Sequence, residues 1–180
     1  MPTAYLSLGS NVGDRMAHLR TAIRRLCTPD TDIDRVSSVY ESQHVGDGGP
    51  DVPCYLNCVV ALETTLEPIR LLDHALRVEA LGGRQRLHAH SPRTIDIDLL
   101  AYDQITMQTE RLVLPHPRLW DRAFVLLPLS ELEPSLALPD GRSIAARASS
   151  AEITAQRITL WSGGITADGA PAAPDAGRER

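Results

Sequence analysis

Two aspartates one residue apart, Asp96 and Asp98, are the side chains best placed in this sequence to do chemistry. They lie in the stretch SPRTIDIDLL (91–100), where their alternation with apolar residues predicts a strand. Residues two apart on a strand point to the same face, about 6.6–6.8 Å apart along the chain. Two neighbouring carboxylates on a half-buried face repel each other and favour a bound cation, and their oxygens suit Mg2+. The alternative is a solvated strand face, or carboxylates neutralised by arginine alone, with Arg93 just before the strand.

The basic residues indicate how the chain could hold phosphates. All 18 are arginine, so a Walker-type phosphate loop and a Schiff-base lysine are both excluded. Arginine grips phosphate oxygens with two parallel donors and stays charged. Arg84 and Arg86 precede the aspartate strand in a polar loop. The same loop carries His88 and His90, but because no third ligand stands beside them, we interpret them as solvent-exposed residues and not as metal ligands.

The elements that must position these groups follow from periodicity. Strands are predicted at 4–8, 36–41 and 55–63, and helices after Asp14 and over 68–81, with a further helix over 119–127 that Pro128 ends. The order strand–helix–strand–strand–helix–strand is that of a ferredoxin-like split βαβ sandwich, an α+β fold with an antiparallel sheet and helices packed on one face. The loop over 42–53 carries three glycines and two prolines and is long enough to be functional.

Two of these elements carry further polar residues. The third strand places Tyr55 and Asn57 together on one face, where an aromatic ring and a carboxamide suit a flat heterocycle; an ordinary strand edge is an equal alternative. The buried face of the 68–81 helix is set by Leu72, Ala75 and Leu76, and Glu79 continues that stripe. A carboxylate there either reaches the helix end or accepts a polar partner.

Composition sets the outer limits. A chain of 180 residues that is 43% apolar can bury one sizeable core, so we predict a single domain over 1–162 and a disordered tail over 163–180. Net charge of −5 argues against nucleic-acid binding, and no apolar run is long enough to span a membrane. The three cysteines form no CxxC pair and no signal segment is evident, so we expect a reduced, cytoplasmic setting. We also expect the chain to be a monomer.

In their order, five stretches resemble the 6-hydroxymethyl-7,8-dihydropterin pyrophosphokinases of folate biosynthesis. The stretches are LSLGSN, YLNCVVALET, EALGGRQR, PRTIDIDLL and LPHPR followed by DRAFVLLPL, and the likeness covers roughly residues 4–142. The family's reaction moves the terminal diphosphate of ATP to the pterin's hydroxymethyl oxygen and releases AMP. The sequence departs from the family's pattern at His90 and Ser91, where an aromatic residue and then a small one usually stand, at Ser42-Gln43, and at Pro117.

The resemblance implies roles for particular residues. Asp96 and Asp98 would hold two Mg2+ ions around the ATP phosphates and would be catalytic together with Arg84 and Arg93. The implied ATP-binding residues are Glu79, Arg84, Arg86, Arg93, Leu99, Arg111, His116 and Arg122. The implied pterin-binding residues are Ser42, Val45, Tyr55, Asn57 and Phe124.

The expected mechanism is in-line attack of the pterin hydroxyl on the β-phosphorus of ATP, with catalysis by positioning and charge stabilisation. Two other functions stay open on the residues alone. One is a metal-dependent nucleotide phosphohydrolase that uses the aspartate pair on water. The other is a ferredoxin-like regulatory module that binds a ligand without chemistry. The many arginines beside paired carboxylates argue against such a module.

Overall fold

The computed structural model describes residues 1–43, 53–83 and 93–172. The longer strands and two helices make up the first part of the chain, and mostly short elements follow. In chain order they are β1 (Thr3–Ser10), α1 (Arg15–Leu26), β2 (Thr31–Val36), β3 (Tyr40–Ser42), β4 (Tyr55–Thr64), α2 (Pro68–Leu81), β5 (Asp96–Tyr102), β6 (Met107–Gln108), β7 (Val113–Leu114), a 3-10 turn (Leu119–Asp121), α3 (Ala123–Leu132), α4 (Ile144–Ala148), α5 (Ala151–Thr154), β8 (Ile158–Leu160), β9 (Gly164–Ile165) and β10 (Pro171–Ala172).

The main sheet runs β5-β1-β4-β3-β8, and β2 pairs with β4 beside β3. β1 is antiparallel to both β4 and β5, and β2 and β3 are antiparallel to β4. If β2 and β3 are taken as one interrupted strand, this is the strand order of the split βαβ sandwich. The predicted α+β, ferredoxin-like fold is confirmed.

The second strand differs from the prediction over 36–41. Its first part, β2, begins at Thr31, and the chain leaves the ladder before β3 begins at Tyr40. At the break, Ser37 Oγ accepts the Val59 amide at 2.9 Å, while the Ser37 amide donates to the Val59 carbonyl at 2.9 Å. A side chain therefore replaces a backbone acceptor, which interrupts the strand.

Helices cover both faces of the sheet, which corrects the prediction of one covered face. α1 and α2 pack on the face that contains Leu6, Leu8 and Leu62. α3, α4 and α5 pack on the other face, against residues such as Tyr5 and Ala61. The physical reason is that the central strands are apolar at successive positions, so each face must be buried.

α1 begins and packs as its sequence predicts. The Asp14 carboxylate accepts the Ala17 amide at 3.0 Å, and the residues that recur at helical spacing, Leu19, Ala22, Ile23 and Leu26, are buried.

α2 runs over the predicted residues but is rotated from the predicted face. Its buried residues are Pro68, Leu71, Ala75, Val78 and Glu79. The predicted Leu72 and Leu76 are only partly buried. Leu71, Ala75 and Val78 recur at intervals of four and three residues, so they also form one apolar stripe on the helix. Helical spacing alone therefore allows both the predicted stripe and the observed one, and packing against the sheet decides which is buried.

α3 does not end at Pro128, which lies inside it. The missing amide removes one helical hydrogen bond. Val125, Leu126, Leu129 and Leu132 are all buried against the sheet, and this packing continues the helix past the proline.

The C-terminal part adds to the sheet. β8 pairs with β3, and β9 pairs with β10. Residues 164–165 and 171–172, placed by the sequence analysis in a disordered tail, therefore form a hairpin, and Ile165 joins the core beneath α1. Its burial supplies the apolar contact that composition alone did not reveal. Residues 173–180 lie outside the described part of the chain.

Within the described residues, no helix is long and apolar enough to cross a membrane.

Candidate active site

A row of three paired residues crosses the sheet at one end. Asp96 on β5 pairs with Gly9 on β1, and Gly9 pairs with Asn57 on β4. Directly paired residues in an antiparallel sheet share a face, so Asp96 and Asn57 point to the same side. Asp98 stands on that side too, opposite Ser7. The strand register thus brings the aspartate pair and the predicted pterin-site residue to one surface.

Gly9 is a site residue that lies just beyond the predicted strand over 4–8, whereas β1 continues to Ser10. A methyl group at this position would lie 3.1 Å from Asn57 Oδ1 and 3.7 Å from Tyr55 Cδ1. Both side chains therefore lean over the glycine backbone, and a larger residue would push them away. The LSLGSN stretch contained the signal, since a glycine inside a strand often marks such an approach.

Each aspartate has an arginine partner. Arg93 Nη1 donates to Asp96 Oδ2 at 2.5 Å, and Arg122 Nη1 donates to Asp98 Oδ2 at 3.4 Å. The Asp98 side chain is 37% exposed and that of Asp96 23%, so both carboxylates can still reach a ligand from solvent. The structure brings together all four of these predicted residues.

Arg93 is held through its backbone by Asn11, a residue that the sequence analysis did not single out. The Arg93 amide donates to Asn11 Oδ1 at 2.7 Å, and the Asn11 amide donates to the Arg93 carbonyl at 3.1 Å. Asn11 is 2% exposed, so this reciprocal pair is shielded from water. Burial lowers the pKa of Arg93, but the Asp96 carboxylate outweighs it and the net pKa is raised. The guanidinium therefore stays charged beside the site.

Arg122 lies over Phe124, with Cζ 5.5 Å from the ring centre. The predicted helix over 119–127 contained both residues, which is wrong because α3 begins only at Ala123 and Arg122 precedes it in extended conformation. Burial lowers the pKa of Arg122, as does nearby Arg118, and Asp98 opposes them. The arrangement places a cation between the aspartate pair and the aromatic ring.

His116 lies near the same carboxylates. Its amide donates to the Leu100 carbonyl at 2.8 Å, which fixes it to the outer edge of β5. Its Nδ1 accepts the Arg118 amide at 3.2 Å, and Nε2 is left to carry the proton of the neutral ring. The pKa of His116 is lowered, mainly by burial; Asp98 opposes this shift, and Arg122 and Arg118 add to it. A neutral imidazole whose Nε2–H can donate suits a contact to phosphate oxygen.

The predicted pterin-site residues form a second cluster. Asn57 Nδ2 donates to Ser42 Oγ at 2.9 Å, and Ser42 pairs with Tyr55 across β3 and β4. Asn57 and Ser42 are 3% and 6% exposed. Tyr55 lies on the same face as Asn57, with its Cδ1 3.7 Å from a methyl group placed on Gly9. Burial raises the pKa of the Tyr55 phenol, with Arg93 lowering it and Asp96 raising it. Phe124 lies on the same face of the sheet, at the edge of the apolar cluster beneath α3.

Glu79 and Leu99 lie on the opposite face of the sheet from the aspartates. Leu99 is 3% exposed and belongs to the core beneath α1 and α2. Glu79 Oε1 accepts the Ile97 amide at 2.7 Å in a buried setting. The predicted polar partner of Glu79 is thus the edge of β5, and the carboxylate supports the aspartate strand from behind.

Arg111 points to α2, where it forms an ion pair with Asp73. That arginine lowers the pKa of the Asp73 carboxyl through their hydrogen bond. Its predicted contact with ATP therefore competes with an existing partner. Three further predicted residues, Val45, Arg84 and Arg86, lie outside the described residues, as does His90.

The chain matches the family model of 7,8-dihydro-6-hydroxymethylpterin-pyrophosphokinase (HPPK) over residues 5–134. The 2-amino-4-hydroxy-6-hydroxymethyldihydropteridine pyrophosphokinase of Methylorubrum extorquens is 45% identical over 139 residues, which are 77% of this chain and 87% of the relative. The protein of the same name from Bacillus subtilis is 36% identical over 159 residues, 88% of this chain and 89% of the relative. The chain belongs to the HPPK family.

Among solved structures, a triple mutant of Plasmodium falciparum HPPK-DHPS with STZ-DHP superposes with a TM-score of 0.66 at 15% identity. The match covers 82% of this chain and 42% of the other, and at that identity it bears on the fold alone. As a member of the HPPK family, the chain is a diphosphotransferase that moves pyrophosphate from ATP to hydroxymethyldihydropterin in folate biosynthesis.

The carboxylate set fits the magnesium that this reaction is expected to use. Mg2+ takes one or two carboxylates and fills its other positions with water and substrate phosphates. In the described residues no group of three or more His, Cys, Asp or Glu is arranged to hold an ion, so Asp96 and Asp98 stand as a pair. Two partly exposed aspartates on one face are the oxygen donors that such an ion needs.

Proposed function

We propose that HPPK chemistry takes place at the Asp96–Asp98 end of the sheet, with ATP phosphates at the aspartates and the pterin at Asn57 and Tyr55. The observation that supports this proposal is the row Asp96–Gly9–Asn57 across three adjacent strands. Strands are spaced by about 4.8 Å, so the backbones of Asp96 and Asn57 are about 10 Å apart. A ring read at Asn57 can then present its substituent to phosphates held at Asp96.

The pterin end is supported by the polarity of its residues. Asn57 has both a carbonyl and an amino group, and its amino group already contacts Ser42. A pterin edge offers donors and acceptors side by side, which a fixed carboxamide can match. Tyr55 and Phe124 provide ring surfaces for stacking. Val45 remains a proposed contact from the family resemblance.

The phosphate end is supported by its charges. Arg93 and Arg122 neutralise Asp96 and Asp98 in this structure, and both guanidinium groups are partly exposed. Asp96 and Asp98 would hold Mg2+, which would supply positive charge beside the phosphate oxygens. Arg93 and Arg122 lie beside the same carboxylates and would contact the phosphates, and His116 adds a neutral donor at Nε2. Arg84 and Arg86 are proposed to join this set, as is Arg111 once it leaves Asp73.

In the proposed step the pterin hydroxymethyl oxygen forms a bond to the β-phosphorus of ATP. The bond from that phosphorus to the oxygen shared with the α-phosphate breaks, AMP leaves, and the hydroxyl proton passes to solvent. Such transfers pass through a loose transition state, so catalysis is largely positioning and charge stabilisation. The roles of Arg93, Arg122 and His116 are to orient the triphosphate and to stabilise its negative charge.

Phosphorus NMR of ATP and Mg2+ with the enzyme, with and without 6-hydroxymethyl-7,8-dihydropterin, tests the reaction. AMP and a pterin diphosphate should form only when the pterin is present. ADP or free phosphate without pterin would indicate a phosphohydrolase, and an unchanged spectrum despite pterin binding would indicate a binding module. Repeating the assay without Mg2+, and with the metal titrated, gives the metal requirement and stoichiometry.

The site itself is tested by Asp96→Ala and Asp98→Ala. Each should reduce turnover by at least about 1,000-fold while the melting temperature changes little, because both carboxylates are partly exposed. Asp140→Ala is the matched control, since Asp140 also pairs with an arginine, Arg142, but lies in the turn after α3 and not on the strands of the row. Near-normal turnover in either site variant would refute the metal assignment.

Two finer expectations, a cytoplasmic location and a monomeric state, stay predictions of the sequence. The thiols of Cys27, Cys54 and Cys58 are all free, which is compatible with a reducing compartment. Fractionation of the native host and sedimentation velocity of the purified chain test them.

A further inference from the structure

Arg15, the first residue of α1, ties together the two strands next to the proposed pterin site. Its Nη1 donates to Glu41 Oε1 at 2.8 Å and to the Cys54 carbonyl at 2.8 Å. Glu41 belongs to β3, and Cys54 immediately precedes β4. One partly buried guanidinium therefore bridges the end of one strand and the beginning of the next.

Trp161 covers this guanidinium. Arg15 Cζ lies 5.2 Å from the centre of the Trp161 ring, and the Trp161 amide donates to the Val39 carbonyl at 2.8 Å. The indole directly follows β8, which pairs with β3 through Ile158 to Leu160. This C-terminal segment lies beyond residues 5–134, the part that the family model matches.

The residues tied by Arg15 adjoin two proposed pterin contacts. Ser42 follows Glu41, Tyr55 follows Cys54, and the two pair in register. Ser42 Oγ in turn accepts the Asn57 carboxamide at 2.9 Å. A shift of β3 relative to β4 would therefore move the hydroxyl that orients Asn57.

We propose that Arg15 and Trp161 are positioning residues for the pterin half of the site. Trp161 shields the guanidinium from water, Arg15 fixes β3 against β4, and the fixed Ser42 then orients the Asn57 carboxamide. The C-terminal strand β8 thereby contributes to substrate affinity without touching the substrate. This inference rests on the proposed assignment of the pterin to Asn57 and Tyr55.

Binding of two separate probes tests the inference: 6-hydroxymethylpterin for the pterin half and α,β-methylene-ATP with Mg2+ for the nucleotide half. Trp161→Ala should raise the Kd for the pterin by about threefold to tenfold, the size expected from losing a cation–π contact and its shielding. Arg15→Gln should raise it at least as much. The Kd for the nucleotide should stay within about twofold in both variants. Trp161→Phe should restore most of the pterin affinity, because it keeps an aromatic face.

Arg142→Gln is the matched control. Arg142 also lies over a tryptophan, with Cζ 4.0 Å from the centre of the Trp120 ring, and it also pairs with a carboxylate. Its ion pair and its ring contact within the described residues do not involve β3 or β4. It should leave both dissociation constants unchanged. If Arg15→Gln does not fold, the comparison of Trp161→Ala with Trp161→Phe decides the question.

Each outcome has a definite meaning. Equal loss of affinity for both probes, or an unchanged pterin Kd in folded Trp161→Ala, overturns the positioning role. Asn57→Ala separates this from failure of the underlying assignment. If Asn57→Ala binds the pterin normally, the proposed pterin site is wrong; if it loses the pterin while Trp161→Ala does not, only the positioning role is wrong.

Discussion

Replacing Gly9 by alanine tests whether the bare backbone at this point of β1 sets the pterin site. The added methyl would lie 3.1 Å from Asn57 Oδ1 and 3.7 Å from Tyr55 Cδ1. The contact with the ring is ordinary, but the contact with the oxygen is short by about 0.3 Å for a methyl group in van der Waals contact. The carboxamide must therefore move, and its 2.9 Å bond to Ser42 Oγ lengthens or bends.

The effect on stability should be small and the effect on pterin affinity large. Overpacking costs about 1–3 kcal/mol, and removing a strand glycine returns about 0.5–1 kcal/mol, so the net loss is about 0–2.5 kcal/mol. That loss lowers the melting temperature by less than about 10 °C in a chain of this size. Each hydrogen bond lost between the carboxamide and the pterin costs about 1 kcal/mol, so misplacing two of them raises the KM for the pterin by about tenfold to a hundredfold.

Steady-state kinetics with each substrate varied in turn is the assay. The KM for the pterin should rise, and the KM for ATP should change by less than about threefold. A double-mutant cycle with Asn57→Ala identifies the cause, because Gly9→Ala should have little further effect once the carboxamide is gone. Full additivity of the two changes, or an equal rise in both KM values, would refute the argument.

Three further perturbations have defined outcomes. Glu79→Ala leaves the buried Ile97 amide without its 2.7 Å acceptor and should lower the free energy of unfolding, measured by urea titration, by about 1–3 kcal/mol. Glu79→Gln keeps an acceptor and should lower it by less than half as much. Burial lowers the pKa of His116 in the folded state, so the stability that neutral His116 contributes is present above about pH 6.5 and is lost as the pH falls through the folded pKa. Between pH 7.5 and 5 the wild type should therefore lose more free energy of unfolding than His116→Asn does. Equal losses in the two proteins would contradict this. Asn11→Ala removes the 2.7 Å acceptor of the Arg93 amide and should lower kcat by about tenfold with a smaller change in the KM for the pterin, and an unchanged kcat would show that Arg93 keeps its position without it.

Local periodicity predicted the elements that carry the site. Alternation placed Tyr55 and Asn57 on one face of β4 and Asp96 and Asp98 on one face of β5, and both faces are as expected. These predictions worked because each depends on a period within one strand and on polar residues that stand out from apolar neighbours. Asp14 likewise capped α1 as its type and position predict.

What the sequence analysis missed depends on contacts between distant segments. Gly9 matters because two side chains from β4 lean over it, and Asn11 matters because its partner is Arg93, across a gap of many residues. Pro128 did not end α3 because the sheet beneath holds the helix, and a local rule has no access to that packing. Arg111 was assigned to ATP by resemblance, while its partner in the structure is Asp73 on α2.

The row Asp96–Gly9–Asn57 also bears on how the chain acquires its activity during folding. Its members come from strands that are far apart in the sequence, and β5 lies at an outer edge of the sheet, where β1 is its only partner among the described strands. Pairings of such high contact order form slowly, since loop closure must precede them. An intermediate that holds β1 and β4 but lacks β5 would already present Asn57, yet it would have no aspartates beside it. The aspartates therefore reach Asn57 only when β5 pairs with β1, so any change that loosens the β1–β5 pairing would separate the nucleotide half of the site from the pterin half.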